Sequence, residues 1–239
     1  MEHGITWAGL LLKPLNEVLA SWGIDPEPAD SALFVAVLLV ALAYVGGRKF
    51  RQQAMVEPDG KVSLPFLMEM TVDKMLGFFS TIIHAHGGVR RVFPLLGAFA
   101  LFILANNLLG LLPGFNPPTD QYNLTLALAA IVFVTAHYLG LKEHRWGYIK
   151  KFLGPLWWLA PLMLPIELVS HLVRPLSLSM RLFGNLTGDH QVLALFMALL
   201  PLGLPVPFMG LGLLVSILQS FIFVVLAAVY FQDALEHPH

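Results

Sequence analysis

Long runs of apolar residues dominate the chain. The first run is Ser31–Val45, extended through Gly47, and the next two are Phe93–Leu112 and Tyr122–Leu141. A helix needs ~20 consecutive apolar residues to cross the hydrocarbon core of a bilayer. We therefore predict three roughly upright transmembrane helices over residues 31–47, 93–112 and 122–141.

The segment Leu64–His86 has a different pattern. Its apolar residues are interrupted by polar and charged ones, namely Glu69, Asp73, Lys74, His84 and His86. A helix of this kind places its apolar face in the membrane interface and its polar face in water. We expect residues 64–86 to form an interfacial amphipathic helix.

A final apolar tract extends from about Phe152 to Phe231. Prolines at positions 201, 205 and 207 divide it into two long helices, which we place at residues 161–200 and 206–231. The first would be ~60 Å long at ~1.5 Å per residue. This is about twice the hydrocarbon thickness, so the helix must tilt strongly or break. Pro175 is a candidate kink.

Composition agrees with an all-α polytopic membrane protein. Of the 239 residues, 57% are apolar and only 12% are charged, whereas a soluble domain has about 25% charged residues. With no cysteine, the chain has no disulfide and no Cys-ligated metal. The net charge of −1 gives no sign of a nucleic-acid partner. No cofactor or metal is expected, and any catalytic head must belong to another chain.

Basic residues predict the orientation. They cluster in Arg48–Arg91 and Lys142–Lys151, and such clusters stay in the cytoplasm. The N-terminal segment, residues 1–30, and the loop Pro113–Gln121 then face outward, and the C-terminus is cytoplasmic. Short exposed ends favour a bacterial inner membrane, with an organelle-encoded chain as the alternative.

The last tract contains one arginine near its centre, Arg181. A charge at this depth costs roughly 3 kcal/mol on insertion scales, so it usually marks a functional site. At 100° per residue it shares one helix face, within an arc of about 80°, with other polar residues: Glu167, His171, Arg174, Asn185 and Asp189. This polar stripe must face a helix, a partner protein or water.

Several of these residues also have structural explanations. Arg174 can extend to the interface, and Glu167 can pair with His171 or Arg174 as a lock. Asp189 and His190 can lie near the outer interface. On the last helix, an antiparallel arrangement would bring Gln219 level with Arg181 and Asn185, either as an interhelical hydrogen bond or as a functional group.

Four segments resemble subunit a of the F-type ATP synthase membrane sector. They are Arg174-Pro-Leu-Ser-Leu-Ser-Met-Arg181-Leu-Phe-Gly-Asn185, Glu167-Leu-Val-Ser170, Asn107-Leu-Leu-Gly-Leu-Leu-Pro113 and Gln219-Ser-Phe-Ile-Phe223. The resemblance implies five crossings, an interfacial second helix and two long tilted helices that pack against a ring of c subunits. It also implies peripheral-stalk b subunits and a catalytic ATPase head as partners of a non-catalytic chain.

The resemblance also implies roles for individual residues. Arg181 would stabilise a carboxylate on the ring and separate two proton half-channels. Asn185, His190 and Gln219 would lie by the outer half-channel, and Glu167, Ser170 and His171 by the cytoplasmic one. Many members pair a histidine with an acid on the facing helix, where this chain has Gly212. Asp189 is then one candidate for the acid partner of His190, and which acid fills this role stays open.

Three other functions are less consistent with the sequence. A stand-alone ion-coupled secondary transporter commonly shows internal repeats, which this sequence lacks. A haem-binding anchor would use His137, His171 and His190, but the last helix offers no facing histidine. A purely structural anchor leaves Arg181 unexplained. The proton is the expected coupling ion, with sodium as the alternative.

Overall fold

A computed structural model of the chain describes residues 26–53, 64–84, 88–110, 118–145, 147–148, 160–199 and 205–236. Its six long helices are α1 (Pro26–Gln53), α2 (Leu64–Ile82), α3 (Gly88–Leu109), α4 (Tyr122–His144), α5 (Ala160–Leu199) and α6 (Pro205–Leu235), and a single 3-10 turn covers Pro118–Asp120. None of the described residues forms a strand. The predicted all-α class is confirmed.

Three helices are long and apolar enough to cross a membrane, namely Gly88–Leu109, Tyr122–His144 and Val206–Leu235. The apolar stretch Ser31–Tyr44 is shorter. These helices confirm a polytopic membrane protein. Their ends differ by a few residues from the predicted bounds, and residues 1–25, 111–112, 200 and His86 lie outside the described part of the chain.

Helix α5 continues without interruption through Pro165 and Pro175. Its 40 residues correspond to a length of about 60 Å. The helix is therefore not interrupted at Pro175, and strong tilt, with or without a kink at this proline, stays the expected way to match it to a ~30 Å hydrocarbon layer.

The core lies where α6 packs against α3, α4 and α5. Residues at its centre include Leu96, Val132, Leu182 and Phe223, all almost completely buried. In a bilayer, packing and interhelical hydrogen bonds hold helices together, and small residues allow close approach. The fully buried Ala227 and Ala228 supply such a surface on α6.

Side-chain contacts show how the helices run. Asn185 of α5 contacts Gln219 of α6, and Arg174 contacts Asp233, so the two helices are antiparallel. We call the end of the bundle with the Pro118–Asp120 turn the loop end, and the opposite end, where α4 and α6 finish, the C-terminal end.

Buried polar residues attach the turn to the bundle at the loop end. The Thr119 hydroxyl donates to Asn107 Oδ1 at 2.9 Å. Asn107 in turn donates from Nδ2 to the Ser216 carbonyl of α6 at 3.4 Å. Thr119 and Asn107 are both almost fully buried. The turn therefore has a defined position against α3 and α6.

Candidate ion-translocation site

Arg181 lies in the middle of α5 on an exposed face that is otherwise mostly apolar. Within the described ranges it forms no ion pair. A guanidinium is always charged in proteins. Its charge must therefore be solvated by water or balanced by a group beyond the described residues, such as one on another molecule, and this makes Arg181 the centre of the candidate site.

Asn185 lies one turn from Arg181, toward the loop end. Its Nδ2 donates to Gln219 Oε1 at 2.8 Å, and Gln219 is almost fully buried. This contact confirms the expected level of Gln219 beside Asn185. It also fixes the register of α5 against α6 next to Arg181.

A groove of about 360 Å³ opens beside this contact, lined by Gly184, Asn185, Gly188, Asp189 and Val215. Apart from the chain neighbours and the nearby backbone of α5 itself, no heavy atom of the described residues lies within 4 Å of the place where a Cβ would stand on Gly184 or Gly188. The two glycines are four residues apart, so they lie on one helix face. Their missing side chains leave the space that forms the groove.

His190 contacts an acid that differs from the sequence-based candidate. Its Nδ1 lies 3.6 Å from Asp120 Oδ2, and the same carboxylate accepts a hydrogen bond from the Thr187 hydroxyl. The structure places Asp120, and not the candidate Asp189, in direct contact with His190, and a role of Asp189 in the outer path stays a prediction. Adjacent helical residues point about 100° apart, so Asp189 turns away, and its Oδ2 is buried without a partner among the described residues.

Titratable groups also meet at the C-terminal end. Glu167 Oε1 lies 3.2 Å from His171 Nε2, so these residues form the pair that the sequence allowed. The His171 ring also lies 5.3 Å, between centroids, from that of His137 on α4. Ser170, by contrast, is exposed and makes no polar contact with another described residue.

Arg174 forms an ion pair with Asp233 of α6, and its guanidinium lies 5.7 Å from the centre of the Tyr230 ring. The two charged side chains are about one-third exposed, at 31% and 32%. The expectation that Arg174 extends to the interface stays a prediction, and the structure adds a specific counter-charge on α6.

A cavity of about 20 Å³ lies among His137, His171, Arg174, Tyr148 and Asp233. This is room for one water molecule with several polar partners. Tyr148 follows α4, outside the membrane-spanning helix. Burial raises the pKa of its phenol, and the Asp233 carboxylate raises it further against the opposing effect of Arg174. The phenol therefore stays neutral and able to donate a hydrogen bond.

The structure thus divides the predicted site residues between two clusters on either side of Arg181. The loop-end cluster is Asp120, Asn185, Thr187, Asp189, His190 and Gln219, and the C-terminal-end cluster is His137, Glu167, His171, Arg174 and Asp233. Along α5, His171 lies ~15 Å and His190 ~13 Å from Arg181. Within the described ranges, no group of acids and histidines could hold a metal ion.

Two acids of these clusters had no role in the sequence-based prediction. Asp233 could have been found from the sequence. If Asn185 lies level with Gln219 in an antiparallel helix pair, Arg174 lies level with about Tyr230, within one turn of Asp233. Asp120 could not, because it lies in a turn outside any helical periodicity.

A polytopic helical membrane protein with charged residues at membrane depth belongs to a class that moves ions across bilayers. Residues 31–232 match the model of the family described as ATP synthase A chain. The chain belongs to this family.

Several curated relatives are similar along most of their length. ATP synthase subunit a of Trichlorobacter lovleyi is 44% identical over 100% of both chains. The subunit a of Geobacter sp. strain M21 is 42% identical over 96% of this chain and 98% of the relative. ATP synthase subunit a 2 of Syntrophotalea carbinolica is 48% identical over 93% and 91%. The expected resemblance is confirmed, and the transporter alternative is not supported.

Proposed function

We propose that this chain is the stator subunit a of an F-type ATP synthase and couples proton translocation to rotation of a ring of c subunits. The observation that carries the proposal is Arg181, a permanent charge exposed in mid-helix without a counter-charge among the described residues. Polar clusters lie on both sides of it along the same helix. A ring passing this surface would meet the arginine between two polar paths.

Arg181 supplies what a carboxyl group on the ring needs. A carboxyl facing lipid must be neutral, and it ionises only where an opposite charge compensates for the lost hydration. Beside Arg181 the ring carboxylate is stabilised. The fixed positive charge also repels a proton that would pass directly from one polar cluster to the other, so protons must travel on the ring.

The loop-end cluster is the outer half-channel in this proposal. Asn185 and Gln219 are hydrogen-bonded beside Arg181, and a groove leads from there to Asp189. His190 lies one position further along α5. An open groove lined by polar groups allows water to reach the middle of the helix, which a lipid-packed surface does not.

The C-terminal-end cluster is the cytoplasmic half-channel. Glu167 and His171 are in contact, and Ser170 lies on the same stretch of α5. Histidine suits a relay because its two ring nitrogens accept and release protons near neutral pH. Protons delivered by the ring leave through this cluster.

The surrounding complex follows from the same proposal. The chain is a non-catalytic subunit that takes up no cofactor, and its partners are the c ring, the peripheral-stalk b subunits and the catalytic head. It lies in a bacterial inner membrane with the N-terminus outside and the C-terminus in the cytoplasm, as the basic clusters favour.

Replacing Arg181 with Ala tests the proposal. In inverted membrane vesicles we expect ATP-driven acidification to be lost while the complex stays assembled. After the head is stripped, passive proton leak should persist, because removing the charge opens the direct path. Arg91→Ala is the matched control. Arg91 is an exposed arginine that lies away from the site, and its Nη1 is 3.0 Å from Glu143 Oε2. Normal acidification by the Arg181 variant would overturn the proposal.

A further inference from the structure

We infer that Asp120 is the outer proton-accepting group of this subunit and that it delivers protons to His190. The inference rests on the proposed function and adds to it a residue from outside the two long helices. The 3-10 turn brings a carboxylate to the imidazole of His190 on α5, and the next residue, Asp189, lines the groove.

The contact is built from both sides. The Asp120 carboxylate accepts a hydrogen bond from Thr187 through Oδ1, and its Oδ2 lies 3.6 Å from His190 Nδ1. Thr187 and His190 are three residues apart on α5 and therefore share a face. One carboxylate thus engages two neighbouring positions of the helix, with one oxygen for each.

The turn that carries Asp120 is itself held in place. Its neighbour Thr119 is fully buried and donates to Asn107, which is bound to α6. Asp120 consequently has a defined position over α5, unlike an acid on a free loop. A supporting hydrogen-bond network of this kind is what holds a functional group in a productive geometry.

Exposure at the contact suits transfer from water. The Asp120 side chain is 32% exposed and that of His190 is 23% exposed. The carboxylate therefore touches water on one side and the imidazole on the other. Asp189 borders the groove instead, and the groove continues to Asn185. The inferred order is Asp120, His190, the groove that begins at the adjacent Asp189, and then Asn185 one turn from Arg181.

The transfer is balanced at each step. Asp120 takes a proton from a water-borne donor and becomes a neutral carboxyl group. Its O–H bond then breaks as an N–H bond forms at His190 Nδ1, across one water or after a small approach. The resulting imidazolium releases its Nε2 proton to water, which carries it to the groove at Asp189. Loss of the Nδ1 proton to water and uptake of another at Nε2 then restore the starting tautomer.

The absence of cysteine in this chain permits a test on the assembled complex. The Asp120→Cys complex is purified, treated with iodoacetate or with iodoacetamide, and reconstituted into liposomes. The thiolate displaces iodide in both cases, leaving a carboxylate with the first reagent and a neutral amide of similar size with the second. We expect the untreated variant to pump protons about tenfold more slowly, since losing a proton-transfer group lowers rates by at least this much.

Iodoacetate should restore much of the pumping, and iodoacetamide should not. Because each comparison is made on one preparation of assembled complex, a folding defect cannot produce the difference between reagents. The parent complex and an Asn123→Cys complex receive the same treatments. Asn123 is an exposed residue of the same end of the bundle, and its variant should be unaffected by either reagent.

A variant that pumps normally before treatment, or responds equally to both reagents, would overturn the inference. If Asp120→Cys yields no assembled complex, the double variant Thr187→Val with His190→Gln tests the inference instead. The two changes should together cost no more than His190→Gln alone if Asp120 acts through His190, and additive losses would contradict it. Arg181→Ala in the same liposomes keeps the two ideas separate, because normal pumping by that variant overturns the proposed function itself.

Discussion

The two ends of α5 differ in the amount of open space around their polar side chains. At the loop end, polar side chains surround an open groove of about 360 Å³ whose floor is made of glycine. At the C-terminal end, titratable side chains touch one another around a cavity of about 20 Å³. The first arrangement admits many waters, whereas the second has room for about one.

The two ends also differ in the pairing of one charged residue each, Arg174 and Asp189. Arg174 at the C-terminal end is neutralised by Asp233 of the neighbouring helix, which joins α5 to α6. Asp189 at the loop end has a buried oxygen without a partner among the described residues. On the proposed function, protons would move largely through water along the groove at the loop end and between contacting side chains at the C-terminal end.

Filling the groove is the most severe way to break this comparison. Gly188→Leu places a bulky apolar side chain in the groove, where no described heavy atom beyond the adjacent part of α5 lies within 4 Å of the added Cβ. We expect ATP-driven pumping in vesicles to fall by about tenfold or more, since about 1.4 kcal/mol of added barrier has this effect. Gly97→Leu is the matched control, because Gly97 of α3 also has open space at its Cβ. Equal pumping by both variants would contradict a water-filled outer path.

Interrupting the contacts at the C-terminal end should have a smaller effect. Glu167→Gln or His171→Gln should slow pumping about fivefold, which corresponds to about 1 kcal/mol, without loss of assembly. Since the two side chains are in contact, the double variant should be little slower than either single one. Glu143→Gln removes an exposed acid near the same end and should pump normally. Normal pumping by both single variants would remove these residues from the cytoplasmic path.

The sequence was sufficient for the elements and for the residues of α5. Helical periodicity placed Glu167, His171, Asn185 and Arg181 on one face, and the antiparallel arrangement brought Gln219 to Asn185. Both inferences depend only on the regular geometry of a helix. Such geometry holds over a long apolar segment whose backbone must satisfy its own hydrogen bonds in lipid.

The partners of these residues were less predictable. Asp120 reaches His190 because a non-helical turn is pinned by Asn107 and Thr119, and no periodic pattern encodes such a turn. The pairing of Arg174 with Asp233 depends on the relative rotation of two helices, which packing of the side chains decides. The same polar stripe is therefore compatible with several sets of partners until the bundle is assembled.

The smallest effect is expected from disrupting the Arg174–Asp233 pair at the C-terminal end. Its side chains are about one-third exposed, so the pair lies between a surface pair, worth up to about 1 kcal/mol, and a buried one. We expect Asp233→Asn to lower the thermal midpoint of the purified complex modestly, because it leaves the Arg174 guanidinium without its counter-charge. The exchanged variant, Arg174→Asp with Asp233→Arg, should recover part of that loss.

The pair Arg91–Glu143 provides the reference for this last experiment. It has a 3.0 Å contact but side chains that are 56% and 41% exposed, so Glu143→Gln should barely change the midpoint. A larger fall for Asp233→Asn, with recovery on exchange, would mean that the ion pair stabilises the C-terminal end. If replacing either acid lowers the thermal midpoint equally little, packing alone must hold α5 against α6 at that end. The closed character of that end would then depend on the size of the cavity and not on paired charge.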